Sequence, residues 1–150
     1  MPRPDPERVG RLRAGDAAAF NEAGADRLPG YMGVEIAHIG EGAVTARLAV
    51  QEHHLAPNGF LHAAVVIALA DTACGYGCVR NLPDGAAGFT TVELKSNFLG
   101  TVTDGVIDCE ARMVHGGRTT QLWDATVRDA AGRTIALFRC TQLILQPRAG

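Results

Sequence analysis

The chain has 150 residues, the length of one domain, and 47% of them are hydrophobic, enough for one packed core. Fourteen Lys and Arg against sixteen Asp and Glu leave a net charge of -2 with no run of like charge, which argues against nucleic acid or a membrane surface as partner. The four cysteines form no CxxC pair, and the opening MPRPDPERVG lacks the apolar stretch of a secretory signal, so a reducing cytoplasm is the expected compartment.

In chain order, residues 1 to about 24 place Val9, Leu12, Ala17 and Phe20 at helical spacing. This predicts one N-terminal helix lying against the body, and residues 1–29 are read as a helical arm preceding a domain over 30–150. Gly33 to Val50 holds two short β-rich runs joined by Gly40-Glu41-Gly42, the pattern of a hairpin. Pro57, Asn58 and Gly59 then form a turn cluster before an apolar segment, Phe60 to Val79, too long for an ordinary strand. That segment is nearly long enough to cross a membrane. However, Asp71 sits mid-run and His62 near its start, and the strands that follow alternate like a soluble sheet, so a buried core helix is expected. Cys74 and Cys78 lie four apart on it with no second His or Cys pair at zinc-finger spacing. Buried free thiols and no metal site are the expectation for them and for Cys109 and Cys140.

The remaining runs, Gly88 to Phe98, Gly105 to Val114, Thr119 to Val127 and Thr134 to Leu145, are strands by composition and alternation. Asp129-Ala130-Ala131-Gly132 is the turn between the last two. A helix apolar on all sides must be wrapped on all sides. The fold class is therefore α+β, a long antiparallel sheet curled around one central apolar helix, with an extra N-terminal helix.

Asp71 is the one carboxylate between Glu52 and Asp84. Burying its charge costs several kcal/mol unless a cleft solvates it, which makes it the candidate catalytic group. The helix start at His62-Ala63-Ala64 offers free N–H groups and partial positive charge, the requirement for holding an oxyanion. Ala63 and Asp71 are eight residues apart, roughly 12 Å along one helix at about 1.5 Å per residue, too far to act on one carbonyl. If both act on the same atom they come from two antiparallel copies of the helix, so composite sites in a homo-oligomer are expected. Seclusion raises the Asp71 pKa and a facing helix terminus lowers it, with the balance open at this stage. The only serine is Ser96 and no G-x-S-x-G elbow is present, which sets a serine triad aside.

The segments HLAPNGFLHAAVVIALADTACGYG, TTVELKSNFLG and VHGGRTTQLWDATVRDAAGR, in that order, resemble the hotdog-fold thioesterases of the PaaI and 4-hydroxybenzoyl-CoA thioesterase type, over about residues 30–146. The resemblance implies an acyl-CoA thioesterase needing no cofactor, since CoA is part of the substrate. It implies Asp71 as the catalytic carboxylate, the Ala63 N–H after His62 as the oxyanion donor, and Thr91 as the hydroxyl that positions water or carboxylate. Asn58, Gly59 and the His115-Gly116-Gly117-Arg118 bend fall at substrate- and CoA-binding positions, with Arg118 as a phosphate partner. Dimer and dimer of dimers both stay open, with a homotetramer implied by the resemblance. This chain reads His62-Ala63-Ala64 where the family commonly has His-Gly-Gly, and Ala56 where relatives often carry Asn. Two alternatives stay open from the residues: a hydratase or dehydratase of acyl thioesters using His62 with Asp71, and a non-catalytic acyl-CoA-binding protein.

Overall fold

The computed structural model describes residues 5–147. The first four residues of the expected arm and the last three of the expected domain lie outside the described residues. Two helices replace the single N-terminal helix that was expected. The first, α1 (Pro6–Ala14), stops at Gly15, which takes a left-handed φ of 78°. There the N–H groups of Gly15 and Asp16 return to the carbonyls of Leu12 and Arg11, each at 3.1 Å. Asp16 then caps α2 (Ala17–Gly24) by accepting the Ala18 N–H at 3.0 Å. Helix α2 buries Ala19 and Phe20 in the core. A single turn, α3 (Leu28–Tyr31), follows.

The hairpin forms as its two runs require, β1 (Val34–Gly40) and β2 (Ala43–Ala49). After a 3-10 turn at Glu52–His54 comes the long helix α4 (Ala63–Arg80), and then β3 (Gly88–Phe98), β4 (Val106–Gly116), β5 (Thr120–Arg128) and β6 (Thr134–Leu145). The six strands make one antiparallel sheet in the order β1-β2-β4-β5-β6-β3. One edge, β1, is covered in part by α2: the Asn21 amide donates to the Ile36 carbonyl (3.0 Å) and accepts the Ile36 N–H (2.8 Å). The other edge is β3, which pairs only with β6 and leaves a full row of backbone groups unpaired.

Helix α4 starts three residues later than its apolar run. Leu61 N–H donates to the Val102 carbonyl (2.9 Å) and His62 N–H to the His54 carbonyl (3.0 Å), which ties the segment before Ala63 to neighbouring backbone. Its 18 residues are long and apolar enough for a membrane span by composition, yet here they are the core helix, with Leu69, Ala73 and Cys74 fully buried together with Leu48, Ile107 and Trp123 of the sheet. All four cysteines are buried free thiols.

The wrap is incomplete, contrary to the expectation of burial on all sides. Ala64, Ile67, Ala68, Asp71 and Thr72 keep part of their surface open. On β3, the inward-facing Leu94 and Phe98 stay 40% and 45% exposed, although Phe98 shares a cavity with Ala63 and Val66 of α4.

The C-terminal half of α4 comes closest to the sheet. Gly77 lies against the Trp123 indole, where an added Cβ would stand 2.5 Å from the ring and 3.0 Å from Val44. The helix end is held by a buried polar chain. Trp123 Nε1 donates to Gln121 Oε1 (2.9 Å) and Gln121 Nε2 to the Asn81 carbonyl (2.7 Å). The Asn81 side chain donates to the Gly77 and Gly40 carbonyls (2.8 and 3.2 Å) and accepts the Gly42 N–H at 3.1 Å. Gly77→Ala is expected to destabilise the protein by about 1–3 kcal/mol through overpacking, read as a lower denaturant midpoint at unchanged slope. In Gly10→Ala, where an added Cβ meets nothing within 4 Å, helix propensity is expected to raise stability instead.

Candidate active site

The midpoint of α4 places Asp71 on its partly open stripe, beside the start of the edge strand. Asp71 lines a cavity of about 240 Å³ together with Thr72, Gly75, Tyr76, Phe89 and Thr91. Its Oδ1 is buried and accepts no hydrogen bond. Desolvation alone pushes the carboxyl above its ordinary value of 3.8, with no cation beside it to offset the burial. A buried, unpartnered carboxylate facing a cavity is poised to take a proton from whatever enters. Thr91 reaches the same cavity because it occupies an inward position of β3, opposite Gln142 of β6. Its hydroxyl donates to Gln142 Oε1 at 2.8 Å.

The start of α4 is organised differently. His62 takes extended dihedrals and its Nδ1 accepts the Ala64 N–H at 3.0 Å, so the ring acts as the helix cap. The Val65 N–H donates to the His62 carbonyl (3.0 Å). Of the first three helix N–H groups, that of Ala63 alone has no acceptor among the described residues. Ala63 lines a second, mainly apolar cavity of about 270 Å³ with Leu61, Val66, Phe98 and Ile135.

Asn58 and Gly59 form the exposed turn before this helix start, with Asn58 Oδ1 accepting the Phe60 N–H (3.2 Å) and Gly59 N–H donating to the Ala56 carbonyl (2.8 Å). His115 and Gly116 end β4, and Gly117 and Arg118 open the tight turn to β5. Arg118 is exposed, and its carbonyl accepts from the Gln146 amide at 3.3 Å. The structure therefore brings Asp71 and Thr91 to one cavity and Ala63 to another, while Asn58, Gly59 and the residues 115–118 line neither.

Three side chains at the site were not singled out from the sequence. Gln142 is fully buried at an inward position of β6, between Cys140 and Ile144, and a polar residue at an apolar parity was the available signal. Phe89 and Tyr76 wall the Asp71 cavity. Tyr76 is backed by Phe20 of α2, with ring centroids 5.0 Å apart, a long-range contact that no local pattern announces.

The chain belongs to the thioesterase superfamily, whose family profile matches residues 58–136. A 1,4-dihydroxy-2-naphthoyl-CoA hydrolase of Listeria monocytogenes is 27% identical over 117 residues, covering 78% of this chain and 94% of the relative. A mutant of thioesterase PA1618 from Pseudomonas aeruginosa superposes with a TM-score of 0.82 at 22% identity, covering 87% of this chain and 94% of that one. The PaaI protein of the E. coli phenylacetic acid degradation operon gives 0.75 at 23%, covering 93% and 94%. At these identities the two structures speak for the fold, which is the hotdog fold, as the resemblance implied. The protein is a thioester hydrolase by family.

The raised pKa of Asp71 has a stability consequence. Its folded-state value exceeds the unfolded one, so ionised Asp71 destabilises the fold as pH rises through the folded pKa. Asp71→Asn is expected to melt higher than wild type at neutral pH, with the difference shrinking as pH falls toward 3.8, in thermal denaturation followed across pH.

Proposed function

We propose that the enzyme hydrolyses an acyl-CoA thioester to the free acid and CoA, with Asp71 of one subunit and the Ala63 N–H of a second subunit acting on the same carbonyl. The observation that carries this reading is the pair of half-sites on α4, a cavity-facing unpartnered carboxylate and a helix N–H without an acceptor, set too far apart to serve one atom within one chain.

The edge strand supports the assembly. Phe98 lies beside Ala63 in one cavity, and Phe89 and Thr91 lie beside Asp71 in the other, so β3 runs opposite to α4. Antiparallel pairing of two β3 edges about a two-fold axis between Thr91 and Phe98 puts Phe98 of the second copy near Thr91, and with it the second Ala63 near Asp71. The same pairing satisfies the unpaired edge and covers Leu94 and Phe98.

Chemically the arrangement suffices. A thioester carbonyl is weakly stabilised by resonance, so a positioned carboxylate and one oxyanion donor can open it without a cofactor. The ring-walled cavity of about 240 Å³ beside Asp71 suits a compact acyl group better than a long flexible chain. The turn at Asn58 and Gly59 and the bend His115-Gly116-Gly117-Arg118 would meet the pantetheine and nucleotide of CoA, Arg118 pairing with phosphate.

Asp71→Asn is expected to lower kcat by about 10²-fold or more, the usual worth of a general base, with CoA release from an acyl-CoA panel as the readout. Ala63→Pro deletes the oxyanion donor while proline remains tolerated at the first helical position, and the extended dihedrals of His62 already suit a following proline. It too should be inactive. Mixing the two inactive proteins under conditions of subunit exchange should restore about a quarter of wild-type activity, since half the dimers are mixed and each then holds one intact site. Failure of both single variants to lose activity would overturn the assignment of residues, and failure of the mixture alone would overturn the shared site.

A further inference from the structure

We infer that Gln142 is a positioning residue: by accepting the Thr91 hydroxyl proton it turns the Thr91 oxygen lone pairs toward Asp71, so that a water is held between two proton acceptors and Asp71 works as a general base. This rests on Asp71 being the reacting carboxylate and goes beyond it, because it assigns the role of Asp71 and brings in a side chain outside the stretch matched to the superfamily.

A hydroxyl has one proton to give and two lone pairs. The Thr91 proton is committed to Gln142 Oε1 at 2.8 Å, which leaves only acceptor capacity facing the cavity that Thr91 shares with Asp71. Gln142 is fully buried, and its Nε2 donates to Cys140 Sγ at 3.3 Å, so its oxygen is the end turned to Thr91. The adjacent glutamine on β5, Gln121, pairs across the strands with Gln142 but spends its own amide on Trp123 and Asn81. Among the described residues no second polar side chain competes for the Gln142 oxygen. The Asp71 carboxylate is likewise an acceptor without a donor among the described residues, and because its Oδ1 is shut off from solvent, Oδ2 is the oxygen a water in the cavity meets. Two acceptors at one cavity do not bond to each other, and the species that satisfies both is a water giving one proton to each. Its two lone pairs then point away from both acceptors, one of them toward an incoming carbonyl carbon.

The step follows with atoms balanced. The water oxygen bonds to the thioester carbon as one of its protons passes to the Asp71 carboxylate, while the other stays on the oxygen, hydrogen-bonded to Thr91. The carbon–sulfur bond then breaks, and Asp71 returns its proton to the departing thiolate. The acid leaves carrying the water oxygen, and no bond forms between Asp71 and the acyl group.

The titratable groups nearest Asp71 do not interfere. The Cys74 thiol is held well above its ordinary value by a hydrogen bond with Cys140 and by burial, and the Tyr76 phenol is raised by burial.

The test is the pH profile of kcat in Gln142→Met and Gln142→Glu, each with and without Thr91→Val. In Gln142→Met the freed Thr91 hydroxyl rotates and donates to the Asp71 carboxylate, competing with water. The expected result is kcat down about tenfold, the size of one misdirected hydrogen bond, at unchanged KM, with the acid limb moved to lower pH. Both effects of Gln142→Met vanish when Thr91 is already Val. Gln142→Glu keeps an acceptor for Thr91 and adds like charge, so its acid limb stays in place or moves to higher pH. A purely structural role would move neither limb in a Thr91-dependent way. The inference is overturned if both substitutions shift the limb in the same direction, or if the Gln142→Met shift persists in the Thr91→Val background. Should Gln142→Met not fold, judged by its thermal transition, the Gln142→Glu limb decides alone, and a move to lower pH overturns the inference. Asp71→Asn in the same assay separates the two levels: full activity there removes the carboxylate reading itself, whereas its loss beside a silent Gln142→Met removes only the role of Gln142.

Discussion

The close approach of α4 to the sheet at Gly77 and Trp123 is the constraint on which the rest of the molecule depends. A helix can lie that near a strand surface only where it carries no side chain, and Trp123 fills the space that Gly77 leaves. The polar chain from Trp123 through Gln121 to Asn81 then fixes where the helix stops, binding its end to the first hairpin through Gly40 and Gly42. With one end clamped, the rotation of α4 about its axis is no longer free. That rotation sets Asp71 and Thr72 beside Phe89 and Thr91 of the edge strand, partly open and outside the fully buried face.

From this clamp the placement of the two candidate positions follows. Asp71 is set beside Thr91 without a cation or donor of its own, so its burial is uncompensated and its basicity raised. Ala63, two turns earlier, has its N–H released because His62 caps Ala64 and no other residue reaches back. Substitution of the usual glycines by Ala63 and Ala64 leaves this donor intact, since the helical backbone there is open to any residue. Uncompensated carboxylate, free N–H and bare edge strand are three unsatisfied features of one chain, and the two-fold contact proposed above would answer all of them.

Much of the fold was legible in the residues. The hairpin at residues 34–49 and the strand β6 are readable from alternation and turn chemistry, because their side chains face a core on one side and water on the other, whereas β3, which buries no side chain, is readable from its β-rich composition. The N-terminal region was misread as one helix: Val9, Leu12, Ala17 and Phe20 keep an apolar spacing across Gly15-Asp16, and the stop-and-cap pair between them was the overlooked signal. The start of α4 was placed too early because Phe60 and Leu61 are apolar for a different reason, Leu61 being buried in a segment bonded to Val102. At the site, Asp71 announced itself by being charged in an apolar run. Gln142 could have done so by its parity on β6, whereas the Phe20–Tyr76 contact depends on the folded position of α2 and was out of reach.

That last contact bears on how such enzymes diverge. Tyr76 lines the cavity beside Asp71 and packs against Phe20, on a helix that precedes the stretch matched to the superfamily. One wall of the cavity is thus backed by a segment outside the matched stretch, while Asp71 and Thr91 sit within it. The shape of that cavity can therefore be altered from the N-terminal helices alone, with Asp71 and Thr91 left in place.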